Sequence, residues 1–382
     1  MNKTINNLNV FHVRDTTLLS RERVLSVDAL RGFDMFWIIG GGDILTSLDK
    51  VFHNKITGFI SEQLIHVDWF GFHFYDIVMP LFLFLVGISM VYSYRKRLST
   101  EKSDAPLWKH TIKRIIILWF LGMVVQGNLL SYNINEFHLY SNTLQAIASG
   151  YLIATIIILY LPVLHQVTAT IGLMLLYWMI MALIPVNGTT LGAYTPDGNV
   201  ARIVDAFILG RFDDGLDYTW IVSSLNFGAT TMLGVFCGYI LQSGLSKLKK
   251  FRNFLIFGAM LIILALILNI WHPIIKKLWT SSFVLFSGGI CVLLLSVFYL
   301  IVDVWNLQKS SKWLIIIGSN AIFAYVVSHL FGNQLISIAG VLLDGLKQYI
   351  GNWDEAVSIT GGFLVLFFIL RYMYKNKIFI KI

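Results

Sequence analysis

Charge is what this chain has least of. Only 13% of its 382 residues are charged, against 57% hydrophobic, and its mean hydropathy is +0.72. A soluble domain carries about 25% charged residues, so most of this chain is not built to face water. Cysteine is also scarce: Cys237 and Cys291 are the two, both inside apolar runs and outside any Cys-x-x-Cys or Cys/His cluster. They read as small packing residues, which excludes a disulfide framework and a thiolate metal centre. A nucleotide loop is missing too. Gly40-Gly41-Gly42 has no GxxxxGK[ST] pattern around it and no strand before it. The first residues, Met1–Arg23, are polar and lack the apolar core and small-residue cleavage site of a signal peptide. Residues 1–24 are therefore expected to form a cytoplasmic tail.

What is present is a series of long apolar runs. A bilayer core of about 30 Å takes about 20 helical residues to cross. Ten segments of that kind can be placed, at roughly 29–48, 72–94, 112–130, 142–161, 167–186, 222–242, 253–271, 279–302, 313–331 and 355–374. The runs are continuous rather than alternating, which excludes a closed barrel. The predicted fold is an all-α polytopic membrane protein of about ten transmembrane helices, with residues 25–382 as its transmembrane domain. Basic residues set the orientation. With the N-terminus inside, 22 of the 29 Lys and Arg fall in inside segments and seven outside. Both termini are then cytoplasmic. Membrane lipid is an expected partner and nucleic acid is not; a homodimer is left open.

The chemistry is concentrated at the outer mouth of the second span, in HVDWFGFHFYDIVMPLFLFLVG (66–87). His66, Asp68, His73 and Asp76 fall within eleven consecutive positions there. Ionisable groups at the end of a membrane helix are costly and mark function by default. Histidine exchanges protons near neutral pH, and Asp68 or Asp76 is close enough to orient the His66 ring. The plainer reading is an interfacial histidine that satisfies a helix end. His73 is the rival, nearer the lipid and more structural in character. A second cluster, Asp28, Arg31 and Asp34, opens the first span, with Arg31 and Asp28 three residues apart and able to pair. Arg31 reads equally as a phosphate contact or as a positive-inside anchor. Between Arg95 and Arg114 lie seven Lys and Arg, of which Lys113 and Arg114 sit at the start of a span. They suit a polyphosphate ligand or anionic lipid. Asn226 and Asn320 are polar residues within spans, where buried amides serve either as helix-to-helix ties or as contacts for a polar substrate.

At these residues the chain resembles a known family. RVLSVDALRG (23–32) followed by the His66 block is similar to the transmembrane heparan-α-glucosaminide N-acetyltransferases and their bacterial relatives. The family pattern falls on His66, Trp69, Gly71, Asp76, Pro80, Phe82, Phe84 and Gly87. Weaker likenesses follow in order to the C-terminus, among them LQAIASGYL (144–152) and GSNAIFAYV (318–326). Two departures stand out: Ile38 takes the place of an Asn before the glycines, and Ala146 that of an Arg. The resemblance implies an acyltransferase without a metal, moving acetyl from cytoplasmic acetyl-CoA to the amine of a glucosamine-type sugar or glycosaminoglycan fragment on the far side. His66 is its implied catalytic residue, assisted by Asp68 or Asp76. Arg31, Lys113 and Arg114 are the expected coenzyme contacts, and Trp69, Asn226 and Asn320 the expected substrate contacts. Direct transfer and an acetyl-His66 intermediate are both compatible with it. The missing leader and the absence of the family's lumenal domain point to a bacterial inner membrane. Two other readings stay open: a transporter for an amino sugar or oligosaccharide, and an O-acyltransferase of a surface polysaccharide.

Overall fold

Long helices account for the architecture of the computed structural model, which describes residues 24–98, 105–186, 192, 194–196, 198–215 and 218–380. The expected tail 1–24 therefore lies, but for its last residue, outside the described residues. No strand occurs among the described residues. The helices are α1 (Leu25–Phe36), α2 (Gly42–Phe52), α3 (Lys55–Gln63), α4 (Val78–Leu98), α5 (Ala105–Val125), α6 (Thr143–Tyr160), α7 (Val163–Leu183) and α8 (Val200–Leu209). They continue with α9 (Ser224–Gln242), α10 (Lys247–Leu268), α11 (Ser281–Tyr299), α12 (Lys312–Gly318), α13 (Ala321–Leu342), the single turn α14 (Lys347–Ile350) and α15 (Asp354–Lys375).

Eight stretches among the described residues are long and apolar enough to cross a membrane. They overlap eight of the ten predicted spans; α5, expected at 112–130, and the α1–α2 stretch, expected at 29–48, are not among the eight. Two boundaries differ from expectation. The first predicted span is not one helix: α1 passes through a π turn, Trp37–Gly41, before α2 resumes. Gly40 has φ +142° there, a value that L side chains rarely adopt. The ninth span runs from Ala321 to Leu342 rather than from 313 to 331. The apolar run from Trp313 is split at Asn320, whose φ of −129° and ψ of 43° break the helix.

The chain forms two compact units. The first comprises Trp69–Gly71 and Met79–Leu293. Its helices pack through small residues, which let backbones approach where lipid offers no hydrophobic drive to associate. A Cβ on Gly87 of α4 would run into the Thr231 carbonyl of α9, and one on Gly234 of α9 into the Phe84 carbonyl of α4. Only 22% of the apolar window of α10 and 28% of that of α7 is buried. These faces are suited to acyl chains, not to a protein core. Cys237 and Cys291 are both buried and unbridged, as expected of packing residues.

The second unit comprises Arg23–Asp68, Phe72–Val78 and Leu294–Ile382. α1 lies along α12, and Gly318 faces the Asp28 carbonyl and the Gly32 backbone. α13 lies along α15, with Gly362 close to the backbone of Ile336 and Gly361 close to Ala339. α3 is started by Asn54, which accepts from the amides of Ile56 and Thr57 in a capping box. It leaves Ile56 and Phe59 exposed, the pattern of a helix lying in a membrane interface.

Candidate active site

The second unit presents one compact polar constellation, built around Asp76. After α3 the chain runs through residues 64–73 without regular structure, then enters a 3-10 turn, Phe74–Ile77, that leads directly into α4. Asp76 is fully buried in that turn. Its Oδ1 accepts from His66 Nδ1 at 2.8 Å. Its Oδ2 accepts from the His73 amide at 2.8 Å and, more weakly, the Val67 amide at 3.4 Å. One carboxylate thus folds the loop over itself and fixes an imidazole. The His66 side chain remains 42% exposed. Because Asp76 accepts at Nδ1, that nitrogen carries the proton, and Nε2 is the basic atom of the neutral ring. The Tyr75 ring lies 5.0 Å from His66, centroid to centroid, and its hydroxyl reaches the Trp37 carbonyl in the π turn at 3.5 Å.

The second carboxylate offered by the sequence goes elsewhere. Asp68 is exposed and no hydrogen bond involving it occurs among the described residues. His73 donates from Nδ1 to the Ile65 carbonyl at 2.9 Å, a structural bond within the same loop. Trp69, in the first unit, donates its indole N–H to the Tyr194 carbonyl at 2.6 Å and lies 5.8 Å from the Lys277 ammonium.

The remaining predicted residues are spread over both units. In the second, Arg31 pairs with Asp28 at 3.2 Å. Asn320 is buried and makes a two-point clamp, donating to the Ile378 carbonyl at 3.0 Å and accepting from the Ile380 amide at 2.9 Å. In the first, Asn226 donates to the Trp279 carbonyl at 2.7 Å, tying down a residue with φ of 52°. Lys113 is exposed. The Arg114 guanidinium stacks 4.5 Å from the Tyr151 ring centroid. Arg114 Nε and the Tyr151 hydroxyl are buried with no hydrogen-bond partner. The side chains of Arg95, Lys96, Arg97 and Lys102 lie outside the described residues.

Three features carry little sequence signal. Asp34 is 1% exposed, and neither of its carboxylate oxygens has a hydrogen-bond partner; nor has Trp37 Nε1, three residues on. A buried polar atom left unpaired costs about 1–3 kcal/mol, so this pair is unusual in one short stretch beside a π turn, itself a frequent mark of function. His272, in the first unit, joins Tyr194 to α11. Its Nδ1 meets the Tyr194 hydroxyl at 2.7 Å, and its Nε2 accepts the Ser281 amide at 2.9 Å. Burial holds it neutral, with its pKa pushed down to about 3. The only hint was a His-Pro pair closing an apolar run. Asp205 of α8 accepts from the amides of Trp220 and Ile221 at 2.6 and 2.9 Å. Burial raises its pKa to about 6, against the lowering by those two bonds.

No cluster of three or more His, Cys, Asp or Glu able to hold a metal occurs among the described residues. No curated protein matches the chain. Residues 23–195 match the family model described as heparan-alpha-glucosaminide N-acetyltransferase, catalytic. That stretch contains Arg31, the π turn, the whole His66–Asp76 constellation and Arg114. Over that stretch, a little under half of the chain, the protein is similar to the catalytic region of the heparan-α-glucosaminide N-acetyltransferases.

Proposed function

We propose that the protein transfers acetyl from acetyl-CoA to the amine of a glucosamine-type sugar across a bacterial inner membrane. The donor is taken from the cytoplasmic side, where both termini lie, and the acceptor from the opposite side. The observation that carries this reading is the 2.8 Å bond from His66 Nδ1 to the buried Asp76 carboxylate. It leaves an imidazole of fixed tautomer, part exposed, at the mouth of a membrane helix.

Aminolysis of a thioester needs a neutral amine, a base for its proton and a proton for the leaving thiolate. His66 Nε2 supplies both in turn. The amine nitrogen attacks the thioester carbonyl carbon as Nε2 takes its proton. The tetrahedral intermediate then collapses, the C–S bond breaks, and the same proton passes to sulfur. The products are the N-acetyl sugar and free CoA. Asp76 holds the ring in the required tautomer and balances the transient imidazolium. Arg31, Lys113 and Arg114 are the groups of suitable charge for the coenzyme phosphates. Arg114, with a buried Nε that lacks a partner, suits that role best. Direct transfer is preferred because one histidine suffices for both proton steps.

The test is labelled acetyl-CoA with glucosamine, supplied to purified protein in detergent. Acetylated sugar formed without a second compartment supports transfer. Movement of sugar across reconstituted vesicles with no acetylated product would replace it with transport.

A further inference from the structure

One cavity of the second unit is unrelated to the His66 loop. It has a volume of about 760 Å³ and is walled by α12, the last two turns of α15 and the segment after it. Lys309, Lys312, Arg371, Lys375 and Lys377 all line it, and no acidic residue does. All five are exposed, and none forms an ion pair with a carboxylate among the described residues. The walls between them are aromatic: Trp313, Tyr374 and Phe379.

The plainer account is a scatter of positive-inside anchors, with cations favoured at the C-terminal end of a helix. It explains Lys375, in the last turn of α15. It does not explain Lys312, which opens α12, where the helix dipole opposes a cation. Nor does it require anchors from two stretches of chain far apart in sequence, 309–312 and 371–377, to converge on one hollow, where each repels the others. The hollow is also built rather than incidental. Lys377 stands at φ +57° just past α15, donating its amide to the Tyr374 carbonyl at 3.2 Å. The Asn320 clamp then holds Ile378 and Ile380, fixing the backbone on either side of Phe379. The Phe379 ring meets Tyr374 edge-on at 6.2 Å.

We propose that this cavity binds the phosphates of a ligand carrying two or more phosphate charges beside a flat or apolar group. Five convergent cations supply the phosphate contacts, and the aromatic wall stacks on what adjoins them. Two sources have this chemistry: a soluble nucleotide bisphosphate, bound apart from the coenzyme phosphates assigned above to Arg31, Lys113 and Arg114, and the headgroup of a diphosphate lipid. The site does not depend on the acetyl-transfer reading, because its occupancy is measured without turnover.

The test uses full-length protein in nanodiscs of phosphatidylcholine. One arm titrates adenosine 3′,5′-bisphosphate by calorimetry. The other adds cardiolipin to the bilayer and counts retained molecules by native mass spectrometry. Each arm is repeated with Arg371→Gln/Lys375→Gln and with a control of equal charge change on α10, Lys249→Gln/Arg252→Gln. The expected result is saturable binding of at least one probe, weakened tenfold or more in the first variant and less than twofold in the control. Binding of the nucleotide alone, weakened by Arg371→Gln/Lys375→Gln, identifies a soluble nucleotide ligand, and retention of cardiolipin alone a lipid. Failure of both probes to bind overturns the proposal, as does equal weakening by the two double variants.

Discussion

Asp76→Asn is the substitution on which the catalytic geometry makes its sharpest demand. The carboxylate accepts three hydrogen bonds, from His66 Nδ1 and from two backbone amides. An amide side chain has one oxygen to accept with, so one former partner must face an NH2 group. If the oxygen stays with the His73 amide, the NH2 meets His66 Nδ1, and the ring is driven toward the tautomer with its proton on Nε2. That places a proton where the base must be. A hydrogen bond to a charged group contributes about 1.5–3 kcal/mol. Because His66 is 42% exposed, solvent offsets part of the loss and leaves about 1–2 kcal/mol. At 1.4 kcal/mol per factor of ten, transfer should slow roughly 5- to 30-fold. The assay is acetylation of glucosamine from labelled acetyl-CoA, with kcat and KM resolved and the melting temperature measured alongside. The geometry demands a loss in kcat with little change in the donor's KM. Wild-type kcat in a folded Asp76→Asn protein would refute the reasoning.

Other outcomes follow from the same geometry. Asp68→Asn, at an exposed site with no hydrogen bond among the described residues, should leave kcat within about twofold, since surface changes away from such features shift little. Asp34→Asn removes an unpartnered buried carboxylate and should raise the melting temperature while slowing transfer; a less stable variant at full activity would contradict that. His272 is neutral when folded down to about pH 3, whereas an unfolded histidine takes a proton near pH 6.5. The stability it contributes is present above pH 6.5 and is lost as pH falls toward 3, amounting to roughly 2 kcal/mol at pH 5. His272→Gln should therefore melt at temperatures less sensitive to pH between 7.5 and 5 than the wild type, and an unchanged sensitivity would count against the assignment. Asp205 acts in the opposite sense between about pH 6 and 4 and is common to both proteins. Gly87→Ala puts a methyl group into the Thr231 carbonyl and should cost about 3 kcal/mol or more, read as lost yield of folded protein in detergent.

Much of the fold is legible in the sequence. Runs of about 20 apolar residues declare helices in lipid whatever their partners, so composition alone locates the eight helices long and apolar enough to cross a membrane among the described residues. The His66 loop was legible because four ionisable groups in a short window at a helix mouth have no cheap explanation. What the sequence could not decide was which aspartate takes the ring. Asp68 is nearer in sequence, but the 3-10 turn swings Asp76 under the loop, and that depends on backbone geometry rather than spacing. The break at Asn320 was hidden because Trp313–Ile317 is as apolar as any span; the long-range clamp on Ile378 and Ile380 splits it. Asp34, His272 and the convergence of Lys309 with Arg371 are long-range facts of the same kind. Each residue is ordinary in its own segment and acquires meaning only from what the fold brings beside it.

The most direct test is His66→Ala, measured for acetyl-CoA binding and for transfer to glucosamine on the same preparation. The account predicts donor affinity within a few-fold of wild type and turnover at background. A protein that still acetylates glucosamine at the wild-type rate without this imidazole would contradict it.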